Sequence, residues 1–129
     1  MLYQRQGVTT IGDLTQIIFE AFNKRDLSEL QQYLANDAIF DFPGTELLQG
    51  RKEILLFFKI LFRTFPRLEF HVEEILVDGD HACAIWSNEG ENKEGHPYHN
   101  RGVTLVRMSE GKIVFISDYF KDTSFTQSA

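Results

Sequence analysis

The sequence predicts an α+β fold in which three N-terminal helices pack on one face of a strongly curved, mainly antiparallel sheet and enclose a cone with it. Two observations carry this. Up to Phe65 apolar residues recur mainly at helical spacing, whereas from Leu68 they alternate with polar residues at a period of two. Turn signals at Asp78-Gly79-Asp80 and Ser109-Glu110-Gly111 then divide the alternating half into strands joined by tight hairpins.

In chain order, Met1 to Val8 reads as an extended arm. Thr10-Ile11-Gly12-Asp13 has the spacing of a capping box, and Leu14, Ile17, Ile18, Ala21 and Phe22 follow on one helical face that ends near Arg25. Asp26-Leu27-Ser28-Glu29 repeats the cap signature before Leu30, Tyr33 and Leu34. Asn36-Asp37 breaks the pattern, and Ala38 to Phe42 is a short strand stopped by Pro43-Gly44. Gly50 introduces a third helix, Arg51 to about Phe65, closed by Pro66. Its apolar residues cover so much of the circumference that burial on more than one side is expected. A long strand starts at Leu68, and its alternation slips at Glu73-Glu74, which predicts a bulge. His81 to Glu89, Tyr98 to Met108 and Ile113 to Phe120 complete the meander.

The chain has 129 residues, enough for one domain with a substantial core. Its 13 basic and 19 acidic residues leave a net charge of −6, which argues against nucleic acid or an anionic membrane surface as a partner. The single cysteine, Cys83, lies in an apolar run and excludes a disulfide framework. No basic-plus-apolar leader pattern is present, and the longest apolar stretch is interrupted by Lys59, so the expected location is cytoplasmic. His96 and His99 have metal-like spacing but no converging third ligand, so neither metal nor cofactor is expected.

The last strand carries the chemistry. Alternation puts Val114, Ile116, Asp118 and Phe120 on one face and Ile113, Phe115, Ser117 and Tyr119 on the other. A carboxylate among apolar neighbours is either a paired structural acid or a tuned catalytic one.

The order of elements, with Asn23-Lys24-Arg25-Asp26, the run Asn36 to Gly44, Gly50, Glu110 to Ile113 and Asp118-Tyr119-Phe120, resembles the nuclear-transport-factor-2-like superfamily, in its SnoaL-like and ketosteroid-isomerase-related branch. The resemblance spans about residues 10 to 122 of the chain. Laid on ketosteroid isomerase, the base position falls on Phe42, the tyrosine near Ile18 and the second aspartate near Val103, so that enzyme's polar groups are missing. From Tyr98 to Phe120 the chain is similar to limonene epoxide hydrolase, whose strand-end acid falls on Asp118. The Arg-x-Asp pair of that enzyme has no counterpart in Ala84 to Glu89.

The resemblance at Val103 implies that His99, Arg101, Val103 and Leu105 face into the cone. Asp118 is then an acid/base supported by His99 or Arg101, or an ion-pair partner of Arg101 that does no chemistry. Phe22, Phe42, Phe58, Phe62 and Phe120, with Ile18, Trp86, Val103 and Ile116, are the candidate ligand-binding residues. They suit a small apolar ligand in isomerase, cyclase or hydrolase chemistry, or in a carrier or interaction module on the same fold. Tyr119, Phe115 and Ile113 form an apolar outer stripe, and the resemblance implies a homodimer through that face.

Overall fold

A computed structural model describes residues 10–124, so the N-terminal arm read from Met1 to Val8 lies outside the described residues. The elements are α1 (Ile11–Lys24), α2 (Ser28–Tyr33), β1 (Leu34–Asp41), β2 (Leu48–Gln49), α3 (Arg51–Thr64), β3 (Arg67–Asp78), β4 (His81–Glu91), β5 (Pro97–Ser109) and β6 (Lys112–Phe120). One sheet runs in the order β2-β1-β6-β5-β4-β3. Only the β1–β6 pair is parallel; every other neighbour is antiparallel. Helix α1 lies over β3, β4 and β5, and α3 lies over β1 and β2. This is the α+β arrangement that the switch in periodicity predicts.

The start of α1 follows its sequence. Thr10 Oγ1 accepts the Asp13 N–H at 3.1 Å, satisfying one of the orphan donors of the first turn. Ile11, Leu14, Ile17, Ile18, Ala21 and Phe22 are all buried. Arg25 ends the helix in the left-handed region (φ 54°), its N–H reaching back to Ala21 and Phe22 carbonyls. The next residues dock this end onto its surroundings. Asn23 Nδ2 donates to Phe70 O (2.9 Å) while its Oδ1 accepts the Phe70 N–H (2.7 Å), which holds β3 against α1. The Arg25 guanidinium donates to the Phe65 and Phe62 carbonyls at the end of α3 and lies over the Phe62 ring. Two helices and a strand are thereby joined at one rim of the sheet.

Three local expectations need correction. Asn36-Asp37 does not separate a helix from a strand, because β1 already begins at Leu34. Leu34 is fully buried and pairs with Ile113, and the exposed Asn36 and Asp37 sit where the β1–β6 register shifts. In α3 only Ile54 and Phe58 are buried, while Leu56 and Ile60 are 56% and 41% exposed. One face of this helix packs on the sheet, and among the described residues nothing covers Leu56 and Ile60 on the opposite one. The third correction is in β6. Arg107 pairs with Phe115 but Met108 pairs with Ile113, so Val114 is an extra residue, a bulge. The bulge turns Ile113 inward, and Ile113 is fully buried in the core rather than on the outer stripe.

The other irregularities match the sequence. In β3, Val72 pairs with Trp86 and Glu74 with Ile85, leaving Glu73 as the bulged residue. Glu110 and Gly111 take positive φ values of 52° and 76° between the paired Ser109 and Lys112, the backbone of a two-residue hairpin turn that matches strand twist. Among the described residues, no helix is long and apolar enough to cross a membrane.

Candidate functional site

The inner face of the sheet and the two long helices enclose a narrow cavity that opens to solvent. Its walls are mainly aromatic. Phe22 on α1 meets Phe58 and Phe70 at centroid distances of 5.0 and 5.4 Å, and Phe42 on the loop after β1 meets Phe120 at 5.4 Å. These tilted and edge-on contacts are favourable for aromatic pairs and leave a narrow space between rings.

Asp118 sits in this wall. It is half-buried because the cavity reaches it, yet hydrocarbon surrounds it on the protein side. Burial pushes its carboxyl up to about 7, against a smaller downward pull from the Thr104 hydroxyl. While Asp118 is ionised, the hydrogen-bond chain around it has only one possible direction. An indole can only donate, so Trp86 Nε1–H gives to Thr104 Oγ1 at 2.9 Å. Thr104 then passes its own hydrogen to Asp118 Oδ1 at 2.7 Å. With Oδ1 occupied as an acceptor, Oδ2 has no hydrogen-bond partner among the described residues.

Gly102 makes this chain possible. It pairs with Trp86 on one side and Phe120 on the other. A Cβ there would lie 2.4 Å from Tyr119 O, 2.8 Å from Phe120 Cβ and 2.8 Å from Trp86 Cζ2. The indole therefore crosses β5 where there is no side chain and brings its N–H to Thr104. The next inward pair, Asn88 and Asn100, is also buried. Asn100 Nδ2 donates to Tyr98 Oη and to Asp122 O, both at 2.8 Å. Tyr98 lines the cavity with its ring 4.5 Å from that of Phe65, and burial raises its phenol to about 12, so it stays protonated.

The structure brings together Asp118 with Ile18, Phe22, Phe42, Phe58, Trp86, Ile116 and Phe120 along the cavity. It does not bring His99, Arg101 or Val103 there. His99 and Arg101 are exposed on the opposite sheet face, in a shallow cleft with Lys121 and Asp122, so neither pairs with Asp118. Val103 and Leu105 are on that outer face too, Val103 paired with Tyr119. Phe62 stands behind the wall, edge-on to Phe22 at 5.3 Å, and does not line the cavity.

The displaced face has a specific cause. Counting back from the Ser109–Lys112 pair without a bulge places Val103 opposite Asp118. The extra residue at Val114 moves the register by one, and Thr104 takes that place. A one-residue slip exchanges the two faces of a strand. Thr104, Asn88 and Tyr98 were consequently missed as site residues. The phase of Trp86 with Ala82 and Ala84, all buried, was the available signal for the inner face of β4.

The comparisons agree with this architecture. A family model for the SnoaL-like domain matches residues 16–116. Among solved structures, a protein assigned as a SnoaL-like polyketide cyclase from Jannaschia sp. CCS1 superposes with a TM-score of 0.80 at 18% identity, covering 93% of this chain and 92% of that one. A nuclear-transport-factor-2-like protein of unknown function from Burkholderia pseudomallei K96243 gives 0.81 at 20% identity, covering 89% and 92%. A protein with a ketosteroid-isomerase-like fold from Catenulispora acidiphila DSM 44928, in complex with trimethylamine, gives 0.79 at 18%, covering 89% and 90%. At these identities the likeness speaks for the fold alone. No curated protein matches the chain in sequence.

Proposed function

Because this chain belongs to the SnoaL-like domain family, we propose that its cavity binds a small, flat, apolar carbonyl compound and that Asp118 moves a proton on and off it. The observation that supports this best is Asp118 itself: a carboxyl poised near neutrality in an aromatic wall, with one oxygen held by Thr104 and the other left for a ligand. As a base, Oδ2 takes a proton from the carbon beside the carbonyl, and the C–H electrons move onto the carbonyl oxygen to give an enolate. As an acid it returns the proton to the same or another carbon. Isomerisation and ring closure both begin with that step.

A second reading, a carrier that performs no chemistry, is favoured by one observation. Among the described residues lining the cavity there is no basic side chain and no acid besides Asp118. Hydrolysis by several charged groups has no support in such a wall.

The test is exchange in D2O with 2-tetralone, a flat ketone with acidic α-hydrogens. Binding is followed by calorimetry and loss of the α-proton signal by NMR. Wild type is expected to accelerate exchange by at least about a hundredfold over buffer, increasingly as pH rises through about 7 where Asp118 ionises. Asp118→Asn is expected to bind the ketone and lose the acceleration. Binding without exchange in wild type leaves the carrier, and no binding removes the ligand reading altogether.

The outer sheet face supports a homodimer. Ile85, Val103, Leu105 and Phe115 are only part-buried there, and Leu76 and Tyr119 are 53% and 57% exposed. A contiguous apolar surface of this kind on a sheet favours a covering partner. The mass in solution at micromolar concentration is expected to be twice the 15.0 kDa of one chain, measured by light scattering. A monomer would overturn this use of the face.

A further inference from the structure

Asn88 and Asn100 face each other across the β4–β5 ladder, yet their hydrogen-bonding states are opposite. Asn100 is saturated. Its Nδ2 donates twice, and its Oδ1 accepts the Arg101 and Asp122 N–H groups, both at 3.0 Å. That is the expected condition of a buried structural amide. Asn88 is only 6% exposed and lines the cavity, and its Oδ1 is buried with no hydrogen-bond partner. A buried, unsatisfied acceptor destabilises the free protein, and a leucine of similar size would avoid the penalty. A partner entering the cavity would satisfy it.

Its place sets what that partner is. On β4, Ala84 stands opposite Thr104, which on its other side pairs with Asp118, and Asn88 is two inward-facing positions further along from Ala84. Four strand residues span roughly 13 Å and two strand spacings roughly 10 Å, which puts the Asn88 and Asp118 backbones roughly 16 Å apart. Allowing a hydrogen bond of about 3 Å at each end leaves at most roughly 10 Å between the polar groups of a ligand that reaches both, and less where the two side chains lean towards each other. The rings of Trp86, Phe70 and Phe120 lie between, so the connecting part is flat and apolar.

We propose that Asn88 is the second polar anchor of the cavity, hydrogen-bonding a hydroxyl at the end of a fused-ring ligand remote from Asp118. A hydroxyl suits the amide in either orientation, because it donates to Oδ1 and accepts from Nδ2. The proposal rests on the ligand reading of the cavity made above and narrows it to molecules with oxygen at both ends of a fused-ring span.

The probes are 2,6-dihydroxynaphthalene, which has a hydroxyl at each end, and 2-naphthol, which has one. Calorimetry on wild type is expected to show about tenfold tighter binding of the diol, the worth of one good hydrogen bond. In Asn88→Leu the preference is expected to fall within about twofold, and the thermal midpoint to stay level or rise. Asn88→Ala, which leaves space instead of filling it, should lose the same preference and guards against misfolding of the leucine variant. A preference that survives both substitutions overturns the assignment. Equal binding of the two probes by wild type overturns the anchor alone, whereas binding of neither overturns the ligand reading and the anchor with it.

Discussion

Asp118→Asn is expected to raise the thermal midpoint by several degrees at pH 8 and to change it little at pH 4. The carboxyl is pushed from an ordinary value of 3.8 to about 7 in the folded protein, chiefly by burial. Between those values the folded state holds a proton that the unfolded chain has released, so stability falls as pH rises through this window. Above about 7 both states are ionised and the penalty is at its full size. Three pKa units correspond to about 4 kcal/mol, a ceiling for a group that the cavity partly hydrates. Asparagine keeps an acceptor for the Thr104 hydroxyl and carries no charge to bury. It therefore removes the penalty at pH 8 and has nothing to remove at pH 4. Thermal scans of both proteins across this range check the result. A fall in midpoint at pH 8 would mean that the carboxylate is compensated by a partner, and the base role drawn for it would lose its footing.

Gly102→Ala should lose roughly 3 kcal/mol, the upper end of what overpacking costs. The added methyl would stand 2.4 Å from Tyr119 O, a backbone atom fixed by the β5–β6 ladder, and 2.8 Å from the Trp86 ring. Relief of the carbonyl clash strains the β5–β6 pairing, and relief of the ring clash requires the indole to yield as well. Because Trp86 is the only tryptophan, its emission reports that movement directly. Urea unfolding should show the lost stability, and the folded variant a red-shifted emission as the ring leaves its buried place. Displacement of the indole also removes the donor to Thr104 and loosens the hydroxyl that holds Asp118 Oδ1. A change below about 1 kcal/mol with unaltered emission would refute the idea that this glycine shapes the cavity wall.

Both results concern one layer of the molecule, the inward face of β4, β5 and β6, and this layer was only half legible in the sequence. The helical period of α1, the Thr10 cap, the Glu73 bulge and the turns at Gly79 and Gly111 depend on neighbours in the chain, and each stands where its residues imply. Asp118 among apolar side chains was visible for the same reason. The supports of Asp118 were not. Thr104 and Trp86 reach it through strand register, and register passes through a bulge at Val114 that no local pattern announces. Of the two faces of β5, the outer one carries Val103 and Leu105 among His99, Arg101 and Arg107, while the inner one sets Asn100, Gly102 and Thr104 beside Tyr98 and Val106, so neither face stands out as the apolar one. Sequence alone determined the fold and the one acid, since both are written in short-range spacing. Which side chains meet that acid was decided by tertiary structure, because one extra residue in β6 exchanges the face of β5 that looks into the cavity with the one that looks away.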